Sequence, residues 1–117
     1  MSKALAVFLA LTVTSPAGYA VGALARNPNN NDSAVVVNRA DGSTAQHDAL
    51  LACGDDCVIV QVFQNSCVAY AADHREGSTI YGFGRASNEY RAGETALDNC
   101  QSSGGSCTVM SSGCDGH

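Results

Sequence analysis

The chain has no tryptophan, two prolines and a single lysine, Lys3. Aromatic residues make up only 6% of it and charged residues 15%. Each scarcity closes a route. With 117 residues and so few rings, the apolar core is modest, and domains of this size generally need covalent staples. With its one lysine in a segment that reads as a leader, the rest of the chain has no lysine for Schiff-base or general-base chemistry. Long apolar runs are missing too. The best, Ala4–Val13 with Thr12 inside it, is too short to cross a bilayer. Positive charge is scarce: Arg26, Arg39, Arg75, Arg85 and Arg91 stand against eleven carboxylates. That balance argues against nucleic acid and against anionic lipid, and leaves solubility or a cationic partner as its use.

The first twenty residues are ordered as a signal peptide. Met1-Ser2-Lys3 is a short positive start, Ala4–Val13 an apolar stretch, and Thr14–Ala20 a polar exit ending in small residues. Cleavage is expected after Ala17 or Ala20. Residues 21–117 are then expected to form one domain, secreted or periplasmic, with no membrane span after removal of the leader.

Six cysteines are present: Cys53, Cys57, Cys67, Cys100, Cys107 and Cys114. Their gaps match no zinc module, and the C-x-x-C redox spacing is absent. No metal or cofactor is expected. An even count behind a leader reads as a disulfide framework, for which fifteen pairings exist.

The strongest internal signal is a duplication. Ala49-Leu50-x-x-Cys53 recurs as Ala96-Leu97-x-x-Cys100, and Gly22-Ala23-Leu24-Ala25 corresponds to Val68-Ala69-Tyr70-Ala71. Each copy, 21–67 and 68–114, reads strand, strand, helix ending in cysteine, strand. In the first, Val21–Arg26 and Ala34–Asn38 flank the turn-rich Asn27–Ser33. Ser43-x-x-Gln46 reads as a capping box for a helix with Ala45, Ala49, Leu50 and Cys53 on one face. The strand Cys57–Phe63 places Val58, Val60 and Val62 on one side. In the second, Val68–Ala72 and Ser78–Gly84 flank a polar turn, and Ser87 reads as the N-cap of a helix with Ala92, Ala96, Leu97 and Cys100 inward. A glycine-serine loop, Gln101–Ser106, leads to the strand Cys107–Ser111. The fold class expected is α+β, a mainly antiparallel sheet with two helices on one face, built from two pseudo-symmetric ββαβ-like repeats and stapled by disulfides. The duplication favours Cys53–Cys57 and Cys100–Cys107 as equivalent bridges, leaving Cys67–Cys114 as a bridge between the halves.

Candidate chemistry is sparse. His47-Asp48 are adjacent on a helix and point apart. Asp73-His74-Arg75-Glu76 pairs a histidine with carboxylates, but no nucleophile is marked beside it. Asp55-Asp56 lacks a spaced oxygen-ligand loop. Gly82-x-Gly84 lacks the rest of a phosphate loop and reads as a close approach of backbone. There is no G-x-S-x-G elbow, His117 ends the chain, and Asn31-Asp32-Ser33 fits a glycosylation sequon. No catalytic residue is assigned, and the protein is not expected to be an enzyme.

Gly22-Ala23-Leu24-Ala25, Ala49-Leu50-Leu51-Ala52-Cys53, Cys57-Val58-Ile59, Phe63-Gln64-Asn65-Ser66-Cys67-Val68-Ala69, Tyr81-Gly82-Phe83-Gly84 and Ala96-Leu97-Asp98-Asn99-Cys100 carry a resemblance. Together they resemble the small secreted bacterial proteins of domain-of-unknown-function family 4189. The chain departs at Val21, where that family usually carries tryptophan. The resemblance implies export, a duplicated fold and, for some relatives, a role in contact with a host; it assigns no catalytic residue. The function expected is a secreted interaction module for a protein or envelope partner. Two alternatives are a small extracellular hydrolase using His74 with Asp73 or Glu76, and an inhibitor offering Asp73–Glu76 or Asp55-Asp56 to a basic extracellular enzyme such as a lysozyme.

Overall fold

The computed structural model describes residues 20–116. The expected leader, apart from Ala20, and His117 lie outside the described residues. Eight elements follow in order: β1 (Val21–Arg26), β2 (Ser33–Arg39), α1 (Gly42–Cys53), β3 (Val58–Phe63), β4 (Cys67–Asp73), β5 (Tyr81–Ala86), α2 (Glu89–Ser102) and β6 (Cys107–Cys114). This is an α+β fold of two ββαβ units. The strands form two three-stranded antiparallel sheets with the same internal order, β2-β1-β3 and β5-β4-β6.

The sheet is thus divided, and each helix covers one face of its own half. Strand alternation shows how. Ala23 and Ala25 of β1 face Ala45 and Ala49 of α1, while Leu24 faces the other sheet and meets Phe63, Val68, Tyr70 and Ala72. Ala69 and Ala71 of β4 face Ala92, Ala96 and Cys100 of α2. The layers run α1, first sheet, second sheet, α2. The two central strands, β1 and β4, are buried along their whole length, which explains why both read as unbroken small or apolar runs. Edge strand β2 also lies against β6: Ser33 and Ser111 share a hydroxyl hydrogen bond at 2.7 Å. Asp115 clasps the same region, accepting from the Asn38 amide at 2.8 Å.

Small residues set the helix-to-sheet distance. A Cβ at Gly82 would strike backbone atoms of Ala96 and Cys100, and one at Gly84 backbone atoms of Ala92 and Ala96. Their counterparts across β1 in the first unit are Ala34 and Val36. The second helix therefore seats closer than side chains of that size would permit.

Four local readings differ from the sequence expectation, each for an identifiable reason. Asp41, not Ser43, caps α1, its carboxylate accepting from the Thr44 amide at 2.8 Å. Asn88, not Ser87, caps α2 and accepts from the Arg91 amide at 2.8 Å. Aspartate and asparagine cap as well as serine does, and these two stand in extended backbone with their side chains on the amide three residues on. Val58, Val60 and Val62 do not share a face. Leu24 pairs with Gln61 and Ala25 with Ile59, leaving Val60 as a bulge. Ile59 and Val62 then pack towards α1 and Val60 between the sheets. The equivalent bulge recurs in the second unit, where Tyr70 pairs with Ser111 and Ala71 with Val109. Finally, the fifth strand begins at Tyr81 rather than Ser78, because Ser78–Ile80 spend their carbonyls on side chains described below.

Three disulfides form: Cys53–Cys57, Cys100–Cys107 and Cys67–Cys114, and no described cysteine is free. The first two each tie a helix end to the strand that follows. The third pairs register partners of β4 and β6, so it closes the second sheet and does not bridge the halves as expected. Its sequence separation is 47, against 4 and 7 for the others. Replacing Cys67 and Cys114 together by serine should cost about 4 kcal/mol by loop-closure entropy, against about 2 kcal/mol for Cys53 and Cys57. Urea denaturation of the two double variants measures this order. Gly84→Ala should cost about 1–3 kcal/mol in the same assay, through overpacking against α2.

Candidate functional site

At the end of β1 the chain buries a guanidinium. Arg26, only 8% exposed, donates from Nε to the Tyr70 hydroxyl at 3.1 Å. Its Nη2 donates to Asn31 Oδ1 at 2.9 Å and to the Thr79 carbonyl at 3.3 Å, and its charge lies 3.7 Å above the Tyr81 ring. The Tyr70 hydroxyl in turn donates to Asn31 Oδ1 at 2.7 Å, and the two tyrosine rings stack at 5.7 Å. Asn31 Nδ2 donates to the Ser78 and Ile80 carbonyls at 3.3 and 3.1 Å. Burial pushes the Tyr70 phenol above its ordinary value of 10.0, against the opposing pull of Arg26; it stays a neutral donor at physiological pH.

Arg26, Asn31 and Tyr70 are buried in this cluster and hydrogen-bonded to one another. The cluster also settles the sequon. Asn31 holds a left-handed backbone at φ 64, which asparagine tolerates better than most residues. Its amide is buried and engaged on both donors, so in the folded chain it cannot carry a glycan.

Beside the cluster lies a cavity of about 390 Å³, lined in part by Asp32, Asp73, His74, Glu76 and Met110. It brings together the whole charged tetrapeptide, but its members have separate tasks. Asp73 is buried and accepts from Arg75 Nε at 2.9 Å and Nη2 at 2.6 Å. It also accepts from the Ser78 hydroxyl at 2.8 Å and the Ser106 amide at 3.3 Å. Arg75 above all, with Ser78 and the backbone amides, holds the Asp73 carboxyl far below the usual carboxylate range. His74 and Glu76 are exposed, and no hydrogen bond joins His74 to either carboxylate among the described residues. The tetrapeptide is a loop knot that ties the β4–β5 turn to the start of β6.

The other sequence candidates lie apart. His47 is exposed on α1, and Asp48 pairs with Arg39 at 2.7 Å. Asp55 and Asp56 are exposed in the turn after α1. Gly82 and Gly84 lie under α2, not at a phosphate site. Among the described residues no three histidine, cysteine, aspartate or glutamate side chains are grouped to hold a metal ion.

A second, larger concavity is one the sequence reading missed. A groove of about 690 Å³ runs between the outer side of α2 and β6, with Tyr90, Glu94, Leu97, Asp98, Val109 and Ser112 on its walls. Ala92, Ala96 and Cys100 turn inward, which leaves Tyr90, Glu94 and Leu97/Asp98 on the next strip of the helix. Tyr90 is 76% exposed and Val109 39%. Glu89 at the mouth accepts a short hydrogen bond from Ser112. The available signal was an aromatic residue placed off the alanine face of α2.

Two antiparallel ββαβ units, packed sheet to sheet and closed by three disulfides, define a duplicated, disulfide-stapled α+β domain. The family model described as Domain of unknown function (DUF4189) matches residues 21–114, and the chain belongs to that family. No curated protein and no solved structure matches it.

Two outcomes test these assignments. Tyr70→Phe should cost about 1–3 kcal/mol, because Arg26 and Asn31 are left underpaired in a buried seam; urea denaturation measures it. Asp73→Asn should weaken the fold only where the carboxylate is charged. A depressed folded pKa gives stability that is complete above the ordinary value of 3.8 and lost as pH falls through the lower folded value. The denaturation midpoints of the variant and the parent should therefore differ at pH 7 and converge in acid.

Proposed function

We propose that the protein is an interaction module of an oxidising extracytoplasmic compartment, secreted or periplasmic, and that it binds its partner through the groove between α2 and β6. Three disulfides and a leader-like start support the compartment. Among the described residues no helix is long and apolar enough to cross a membrane. The observation that carries the binding reading is Tyr90. It is a large ring left 76% exposed on a helix tied to the opposite wall of the groove by Cys100–Cys107. Exposed aromatic anchors on rigid elements are what binding surfaces use.

The two alternatives fare differently. A hydrolase built on His74 finds Asp73 already occupied by Arg75, Ser78 and Ser106. An inhibitor offering acidic loops has Asp55-Asp56 available, while the charge of Asp73 is met by Arg75.

A photo-crosslinking residue at position 90 tests the proposal, with position 51 as control because Leu51 is 69% exposed on the other helix. Discrete products from 90 and none from 51 are expected in extracytoplasmic fractions. Equal products from both, or none from either, would overturn the assignment. Tyr90→Ala should leave the denaturation midpoint nearly unchanged, since the side chain packs on little of its own protein.

A further inference from the structure

We infer that the occupant of the α2–β6 groove is an extended, cationic segment of a partner protein, with arginine or lysine at alternate positions beside an apolar residue. This rests on the binding reading above. Glu94 and Asp98 lie one turn apart on the groove wall. Like charges at that spacing weaken a helix. Asp98 stands just before a last turn that has no basic residue to offset it. Neither carboxylate has a hydrogen bond or ion pair among the described residues. The pair is therefore a local cost with no return inside the molecule.

The duplication supplies an internal control. The positions of α1 equivalent to Glu94 and Asp98 are His47 and Leu51. The fold is built equally well around those, so the acid pair is not a requirement of the ββαβ unit. Among the described residues Arg91 is the only cation on the groove wall, against Glu89, Glu94 and Asp98. The groove thus combines acids and Leu97 on its α2 wall with Val109 on its β6 wall.

The spacing of the acids fits an extended ligand. Residues four apart on a helix are separated by about 6 Å along its axis, and alternate residues of an extended chain by about 6.8 Å. An extended segment can place two cations on Glu94 and Asp98 and set an apolar side chain on Tyr90, one further turn away. An Arg-x-Arg segment beside a leucine has that periodicity; a compact cation or a single charge does not use both carboxylates.

The test is an NMR titration of the oxidised, isotope-labelled protein with three blocked nonapeptides. One carries Leu-Ser-Arg-Ser-Arg at its centre, one Leu-Ser-Glu-Ser-Glu, and one the first composition with the arginines adjacent. The alternating cationic peptide should shift amide signals in residues 89–98 and at Val109 and Ser112. Its Kd should rise about fivefold in the Glu94→Gln/Asp98→Asn double variant, as two exposed pairs predict, and rise with salt. Glu94→Arg/Asp98→Arg should exchange the preference and bind the acidic peptide. Equal binding of the acidic peptide to the parent, or unchanged affinity of the neutral double variant, overturns the cationic assignment. In that event a specific crosslink from position 90 keeps the groove reading, and its absence removes both.

Discussion

A guanidinium enclosed without a carboxylate is the constraint around which this fold is arranged. Removing an arginine from water is costly unless its donors and its charge are both met. Here Tyr70, Asn31 and the Thr79 carbonyl accept from Nε and Nη2, and the charge lies over the face of Tyr81. Arg26 and Asn31 come from the first unit, and Tyr70, Thr79 and Tyr81 from the second. The hairpin after β1 must therefore bring Asn31 back over Arg26 in a left-handed conformation. The approach to β5 must likewise bare the carbonyls of Ser78, Thr79 and Ile80. Loss of any partner leaves a buried group unmatched, so the two units are held in register by a polar seam as well as by the apolar contacts around Leu24 and Phe63.

That seam explains why two units of common design have diverged where they meet. Strand order, bulge position, helix-facing alanines and the helix-to-strand disulfide are repeated. The inward residues of the central strands are not: Leu24 in β1 corresponds to Tyr70 in β4. One unit contributes the cation and the other the rings. Two identical units would bring together either two buried charges or two unneeded hydroxyls. The closer seating of α2 over Gly82 and Gly84, and the extra bridge Cys67–Cys114, further make the second unit the more tightly constrained of the pair.

Much of this was legible in the sequence where local chemistry and tertiary contact agree. The duplication, the alanine faces of both helices and the helix-to-strand bridges are short-range features repeated twice. The division into two sheets was not legible, because strand alternation reports that two faces are buried and not what buries them. The valines of β3 were misread because one bulged residue inverts every later side chain, and nothing in Val58–Val62 marks the extra residue. Asp73 was singled out for its neighbour His74, yet its charge is spent on Arg75 two residues away and on Ser106 across the loop. The latter is a partner that only the fold reveals. The groove escaped notice because its two walls, α2 and β6, are joined by tertiary packing, and Tyr90 alone reads as an ordinary exposed ring.

The location of the groove on the second unit follows from those constraints. A surface that must be ordered on contact gives up binding energy to side-chain and loop freedom. Here one wall is a helix pressed onto glycine and alanine, and the other a strand paired along its length with β4. Cys100–Cys107 ties the end of the first to the start of the second. The exposed acids and the ring can therefore meet a ligand without rearrangement of the backbone beneath them. On α1 the corresponding positions are His47 and Leu51, on a helix that rests on larger strand residues and whose following strand, β3, carries no bridge to the central strand. Rigidity and unpaired charge thus coincide on one unit. That coincidence is what a preformed docking surface requires and what repetition of the fold alone would not produce.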